Sequence, residues 1–199
     1  MKLPPAKTEG TVTVEQAIRR RRTVRAFISK PLDLHQLSQL LWAAYGITGG
    51  GGFKRAAASA GALYPMDVYV VTGKEGVAQI EAGVYRYEPI GHMLSRVLSG
   101  DLRKALSTAS LSQSWMAKAP VNFVITAEYH RATAKYGERG VRYAMIEAGH
   151  ITQNLFLQAE ALGLKAGIVG AFRDIEIIRV VNIPSSHEPL LIMPIGYQA

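Results

Sequence analysis

At 199 residues, 48% of them apolar, the chain has material for one core, and 23 basic against 15 acidic side chains give a net charge of +8 that favours anionic ligands. The absence of cysteine excludes disulfides, thiolate metal sites and cysteine nucleophiles. No run approaches the roughly 20 apolar residues of a membrane span, and the opening MKLPPAK has no apolar run behind it, so a soluble, cytoplasmic protein with one domain over residues 1–199 is expected. In chain order, Val14 to Arg22 reads as a helix running into its own basic end, where cations suit the negative pole of the helix dipole. Phe27 to Leu32 leads away from it. Asp33 is placed to N-cap a second helix with Leu34, Leu37, Leu40, Leu41 and Ala44 on one face, ended by Gly46 and the Gly49 to Gly52 run. Met66 to Thr72 and Val121 to Ala127, β-branched and aromatic, read as buried strands; Gly83 to Glu88 reads as an edge strand and Leu102 to Ser107 as a short helix.

From about Arg139 to Leu162 the pattern predicts a helix roughly 36 Å long. Val141, Met145, Ala148, Ile151, Leu155, Ala159 and Leu162 form one stripe, and Ile146, Phe156 and Leu157 lie off it. A helix apolar on more than one side wants burial all round, which in so small a chain points to the centre of a dimer. Gly163 reads as its C-cap, Lys165 to Ala171 as a strand, Asp174 as the cap of a helix to Val181, and Leu190 to Ile195 as the last strand. Helices and strands mix without a βαβ series, so the fold class is α+β.

Two segments carry the chemistry. RRRRTVRAF, Arg19 to Phe27, sets five arginines and a hydroxyl within seven positions. Leaving a helix in extended form, Arg21, Thr23 and Arg25 point to one side, and guanidinium groups are shaped for bidentate phosphate contacts. A charge run at a helix end also serves as a solvated face. A nucleic-acid reader would spread its charge and interleave aromatic rings, whereas this cluster is compact, as one phosphate requires. AAASAGALYP, Ala56 to Pro65, is a small-residue turn that exposes backbone amides to a flat ring. There is no P-loop, and the glycine run lacks the strand and helix of a dinucleotide fingerprint. The five histidines show no metal-ligand spacing, so no metal is expected. Ser59, Asp174 and His187 follow the chain order of an α/β-hydrolase, but Lys54 to Ala58 is not the strand that a nucleophile elbow needs.

RRRRTVRAF, LSQLLWAAYGITG, AASAGALYPMDVYVV, GVYRYEP, KYGERGVRYAMIEAGHITQNLFLQAEALGL, GIVGAFRD and LLIMPIGY, in this order over nearly the whole chain, resemble the nitroreductase-like flavin family. Within it the chain is similar to the SagB-type dehydrogenases, which include oxidases that turn thiazolines and oxazolines into azoles. The resemblance implies an α+β three-layer sandwich, an intertwined homodimer with a long central helix, and FMN at the subunit interface. By position, Arg21, Arg22, Thr23 and Arg25 would hold the FMN phosphate, ribityl chain and pyrimidine edge. Ser59, Ala60, Gly61, Ala62 and Leu63 of the other subunit would line the isoalloxazine. Val169, Gly170, Ala171 and Phe172 would pass a backbone amide near N5. Lys135 and Tyr136 match the catalytic pair of azoline dehydrogenases, where a base takes the proton lost with the hydride. A lysine with a solution pKa near ~10.4 must be desolvated or crowded by charge to do so.

The chain departs from relatives in lacking amide side chains at Ala62 to Tyr64, in Ala58 where proline is common, and in ending at Ala199 without a basic pair beyond the last strand. The arginines near the start are therefore expected to carry more of the phosphate. The function implied is hydride transfer between NAD(P)H or an organic substrate and an acceptor. Its alternatives are azoline or peptide-linked dehydrogenation, flavin binding without turnover, and a nucleic-acid-binding module.

Overall fold

The computed structural model describes residues 1–49, 51 and 53–199; Gly50 and Gly52 of the glycine run lie outside the described residues. Two helices begin with the same device. The Thr13 side chain accepts the Gln16 N–H and Gln16 returns a bond to the Thr13 N–H, starting α1 (Val14–Arg20). Asp33 and Gln36 do likewise for α2 (Leu34–Tyr45). Each box satisfies two backbone donors that the first turn leaves free. Helix α1 is shorter than its arginine run: Arg21, at φ −50° and ψ 123°, has already left the helical region. Helix α2 buries Leu37, Leu40, Leu41 and Ala44 completely, each leucine contributing roughly 1.5–3 kcal/mol. It stops at Gly46, where a Cβ would meet the Trp42 backbone at 2.7 Å. A small hairpin follows, β1 (Ile47–Gly49) against β2 (Lys54–Arg55).

The main sheet contains β3 (Met66–Thr72), β4 (Gly83–Glu88), β5 (Met93–Ser99), β6 (Val121–Ala127), β7 (Lys165–Ala166) and β8 (Glu188–Gly196). Their order is β5-β4-β3-β6-β8-β7, with every neighbouring pair antiparallel. Strand β4 is therefore interior, contrary to its reading as an edge. The edge is β5, whose half-polar MLSRVLS carries no strong strand pattern. The N-terminal segment covers that edge: Lys2 bridges Met93, and the Leu94 N–H bonds the Met1 carbonyl. The strand expected over Lys165 to Ala171 is cut to two residues, after which Val169 makes a single bridge to Ile192.

Helices α3 (Arg103–Ala109), α4 (His130–Tyr136), α5 (Arg139–Ala161) and α6 (Asp174–Val181) complete the fold; Arg173, not Asp174, is the N-cap of α6. Strand residues alternate between two cores. Met66, Val68, Val70, Phe123, Ile125, Met193 and Ile195 face α2 and α5, whereas Tyr69, Val71, Val124 and Ile192 face α3 and α6. With both faces covered, the strands read as continuous apolar runs, and the result is the expected three-layer α+β sandwich. Helix α5 turns Ala144, Ala148, Ile151, Leu155 and Ala159 into the core. Met145, assigned to the buried stripe by periodicity, and Ile146 are exposed in the single chain. The helix ends in a Schellman motif: Leu164 N–H bonds Ala159, Gly163 N–H bonds Glu160, and Gly163 takes φ 71°. Among the described residues no helix is long and apolar enough to cross a membrane.

Candidate active site

The segment Ala56 to Tyr64 is tied down from α5. Asn154 donates to the Ala43 and Ala56 carbonyls, both at 3.1 Å, and His150 Nδ1 lies 3.1 Å from the Ala58 carbonyl. Ser59 Oγ accepts the Tyr64 N–H at 3.0 Å, closing one 3-10 turn over Ala60–Ala62 with Gly61 at φ 62°. Beneath this turn Glu147 is buried, accepting from the Tyr45 hydroxyl at 2.6 Å. Burial pushes the Glu147 carboxyl up, opposed by hydrogen bonds from Ser59 and Tyr45 and by the Arg55 charge. Above the turn sit the last residues of α4: a Cβ on Gly61 would lie 2.5 Å from the Tyr136 hydroxyl and 3.3 Å from Lys135 Nζ. Tyr136 is braced edge-on against Tyr143 at 5.2 Å, and Lys135 is exposed, 5.3 Å from the Tyr136 ring centre. Ser59, Ala60, Gly61, Ala62 and Leu63 are thus brought together with Lys135 and Tyr136. In one chain, however, the lysine is not desolvated.

The arginine segment runs beside β7, Thr23 bridging Ala166 and the Val24 N–H bonding the Ala166 carbonyl at 2.9 Å. A groove of about 440 Å³ is lined by Arg22, Thr23, Arg25, Lys165 and Gln198. The side chains do not share one side as alternation predicts. Arg21 packs over Phe156 of α5 at 5.2 Å, Arg25 over Trp115 at 6.0 Å, and Arg22 donates to the Arg19 and Arg21 carbonyls at the end of α1. Lys165 is neutralised by buried Glu160 at 2.7 Å. Among the described residues, none of the five arginines from Arg19 to Arg25 pairs with a carboxylate, so their charge is available to an anion.

Strand β7 leads from this groove to the third predicted segment. Val169 exchanges two backbone bonds with Ile192, Gly170 is exposed, and the Ala171 carbonyl accepts from Gln113 at 3.1 Å. Phe172 packs against the core that holds α3 and α6. The arginine groove and the small-residue turn lie at opposite halves of α5, near Phe156 and Glu160 on one side and near Glu147 and His150 on the other. From Glu147 to Glu160 the helix advances roughly 20 Å.

A charge cluster that sequence reasoning missed lies next to the turn. Asp67, buried in β3, binds Arg86 at 2.7 Å and Arg131 at 2.9 Å, and His187 Nδ1 stands 3.4 Å away. The available signal was an aspartate inside an otherwise apolar strand, which needs a partner. His187 therefore faces Asp67, and among the described residues no hydrogen bond links it to Ser59, so the hydrolase arrangement is not formed. Nor do the described residues hold a cluster of metal ligands. Burial lowers the pKa of His187 against the pull of Asp67, and lowers that of His92, which bridges Ser38 and Tyr87 at 2.7 Å each. Between these depressed values and the ordinary ~6.5, the unfolded chain binds more protons than the folded one. The contribution of these two histidines is accordingly full above about pH 6.5 and falls as the pH drops through that window, whereas the raised Glu147 carboxyl contributes in the opposite sense. Between about pH 7 and pH 5, His187→Asn is expected to lose less Tm, or gain more, than the parent protein measured in the same buffers.

The nitroreductase family model matches residues 18–197. The chain is 43% identical over 185 residues to the protein MJ1384 of Methanocaldococcus jannaschii, provisionally designated a nitroreductase, covering 93% of this chain and 91% of that one. A crystal structure of a provisionally designated nitroreductase from Ralstonia eutropha JMP134 aligns with TM-score 0.86 and 30% identity, over 100% of this chain and 89% of its own. A chain in the structure of the Escherichia coli microcin synthetase McbBCD complex with truncated pro-MccB17 bound aligns with TM-score 0.80 and 25% identity, over 98% of this chain and 76% of its own. With the family model matching residues 18–197 and a relative 43% identical over 93% of this chain, the chain belongs to the nitroreductase family.

Proposed function

We propose that this protein is an FMN-dependent oxidoreductase, a single domain over residues 1–199 that acts as a homodimer. The observation that carries this reading is the pairing of a small-residue turn, whose Gly61 leaves room for the ends of Lys135 and Tyr136, with an arginine segment that among the described residues pairs with no carboxylate. These residues fit FMN: Arg21, Arg22, Thr23 and Arg25 would take its phosphate and ribityl end, and Ser59, Ala60, Gly61, Ala62 and Leu63 its ring. Val169, Gly170, Ala171 and Phe172 would offer backbone near the ring, Gly170 being exposed and Phe172 half-buried against the core that holds α3 and α6. Two observations support a dimer. The halves of the site lie at opposite halves of α5, and two large apolar side chains of α5, Met145 and Ile146, are exposed in the single chain.

Bound FMN supplies hydride acceptance and donation at N5. The chain's own part is to orient and to manage protons. Small residues let the backbone come close, Glu147 and Tyr45 hold the turn from below, and a cation beside the pyrimidine favours an anionic reduced ring. NAD(P)H or an organic substrate would give a hydride, leave, and be replaced by the acceptor at the same face. Protein purified with and without added FMN should be yellow and should melt higher with FMN. Colourless protein with an unchanged Tm removes the flavin reading.

A second reading, SagB-type dehydrogenation of an azoline or peptide-linked substrate, is favoured by the placement of Lys135 and Tyr136 over Gly61 and by likeness to a chain from a complex with a bound peptide. Here Lys135 would take the proton lost beside the departing hydride, once a second subunit desolvates it. Lys135→Ala is then expected to lower azoline oxidation by about 10²–10⁴-fold while flavin content is retained. Equal turnover by the variant would leave the pair without a catalytic role.

A further inference from the structure

Between the β4–β5 hairpin and the start of β3 lies a cavity of about 490 Å³, entered by Arg55, Arg86 and Arg131 and walled by Tyr87, Ile90 and Met93. The charges in it can be followed one by one. Asp67 meets Arg86 and Arg131, Glu128 takes Arg131 Nε at 2.6 Å, and Glu88 accepts from Ser95. Arg55 is different. Its guanidinium packs over the rings of Tyr45 at 4.4 Å and Tyr64 at 4.1 Å. Among the described residues it donates no hydrogen bond and pairs with no carboxylate, and its Nε is buried without a partner. Glu147 acts on it through space but is engaged by Tyr45 and makes no ion pair with it. A guanidinium carries five donors; here Nε is buried and unmet while the side chain as a whole is half-exposed, so an acceptor docking on the guanidinium has donors to meet.

We infer that this cavity receives the organic substrate and selects one with a single carboxylate on an apolar body, the carboxylate bound by the Arg55 fork. One unpaired cation matches one negative charge. A phosphate dianion would need more, and the free charge for that lies in the arginine groove. Stacking on two rings fixes the plane of the guanidinium, so little further order is required when a carboxylate docks. The inference rests on the oxidoreductase reading for its chemistry, because the cavity adjoins the proposed reacting face. Arg131 and Lys135 stand one helical turn apart on the same side of α4, and Arg131 Nη1 reaches the carbonyl of Tyr64, which closes the small-residue turn, at 3.4 Å.

Calorimetric titration tests this without turnover, on protein as purified and on protein saturated with FMN. The probes are 4-nitrobenzoate against 4-nitrobenzamide, and a short apolar peptide with a free C-terminus against the same peptide amidated. The acid of at least one pair should bind ten-fold or more tightly than its amide. Arg55→Met should abolish that preference and Arg55→Lys restore part of it. A preference confined to the first pair identifies a small acid, and one confined to the second a chain end. Equal binding of acid and amide in both pairs overturns the inference, as does a preference that survives Arg55→Met. If Arg55→Met unfolds the chain, the acid-to-amide ratio of protein with Arg21, Arg22 and Arg25 all replaced by alanine decides the matter: a preference kept there belongs to the cavity, and one lost there overturns the inference. Colourless protein that still prefers the acid would sink the flavin reading alone, whereas yellow protein without a preference would sink this one alone.

Discussion

Protein in which Arg21 and Arg25 are both alanine is expected to lose its FMN while remaining folded. Hydrogen bonds to a charged group contribute roughly 1.5–3 kcal/mol each, so removing two costs about 3–6 kcal/mol of binding, or about 10²–10⁴ in Kd. The structural cost is small. Neither side chain is buried, and each rests on one aromatic ring, Phe156 or Trp115, a contact worth about 0.5–1 kcal/mol at such sites. The variant should therefore melt close to the parent protein without flavin but gain nothing from added FMN. Retention of stoichiometric flavin would move the phosphate elsewhere. The neighbouring cation Lys165 is held by Glu160 and is not free to substitute.

Gly61→Val is expected to abolish flavin binding and turnover together, by 10²-fold or more, for a different reason. Gly61 occupies φ 62° and ψ 17°, the left-handed region, where a β-branched residue costs about 1–3 kcal/mol. The added Cβ would also stand 2.5 Å from the Tyr136 hydroxyl. Lys135 can swing aside at little cost, but the Tyr136 ring is braced by Tyr143 and must carry the end of α4 with it. A flat ring bound over this turn, as proposed, would then meet two methyl groups. Tm should fall by a few degrees, and Gly61→Ala should be intermediate. Full flavin content and full activity in Gly61→Val would show that this turn does not face the reacting ring.

The site was legible where local chemistry alone sets the structure. Asp33 before LHQLSQLL announces a capped helix, and it forms with Leu37, Leu40 and Leu41 buried. MDVYVVT and VNFVITA are strands at the expected residues because only a strand covered on both faces uses such runs. AAASAGALYP, read as a small-residue turn, is one, with Gly61, Ala62 and Tyr64 at positive φ. Less legible were features with weak local preference. MLSRVLS becomes β5 only because β4 offers it an unpaired edge, and Lys165 to Ala171 fails as a strand after its two paired residues. Asp67 in β3 advertised a buried charge but not its partners, since Arg86, Arg131 and His187 come from three distant segments.

By itself the sequence determined the helix caps, the apolar strands, the small-residue turn and the concentration of arginine, all set by interactions within a few residues. Tertiary structure decided which faces those elements present. Periodicity placed Met145 in a stripe with Ala148, Ile151, Leu155 and Ala159; those four are buried, but near the start of the helix the core takes Ala144 and leaves Met145 exposed, because overlapping apolar faces are distinguished only by what packs against them. Alternation put Arg21, Thr23 and Arg25 on one side, yet the bend at Arg21 and the rings of Phe156 and Trp115 separate them. The meeting of Gly61 with Lys135 and Tyr136, and the burial of Arg55 Nε without a hydrogen-bond partner among the described residues, are likewise products of packing between segments far apart in the chain.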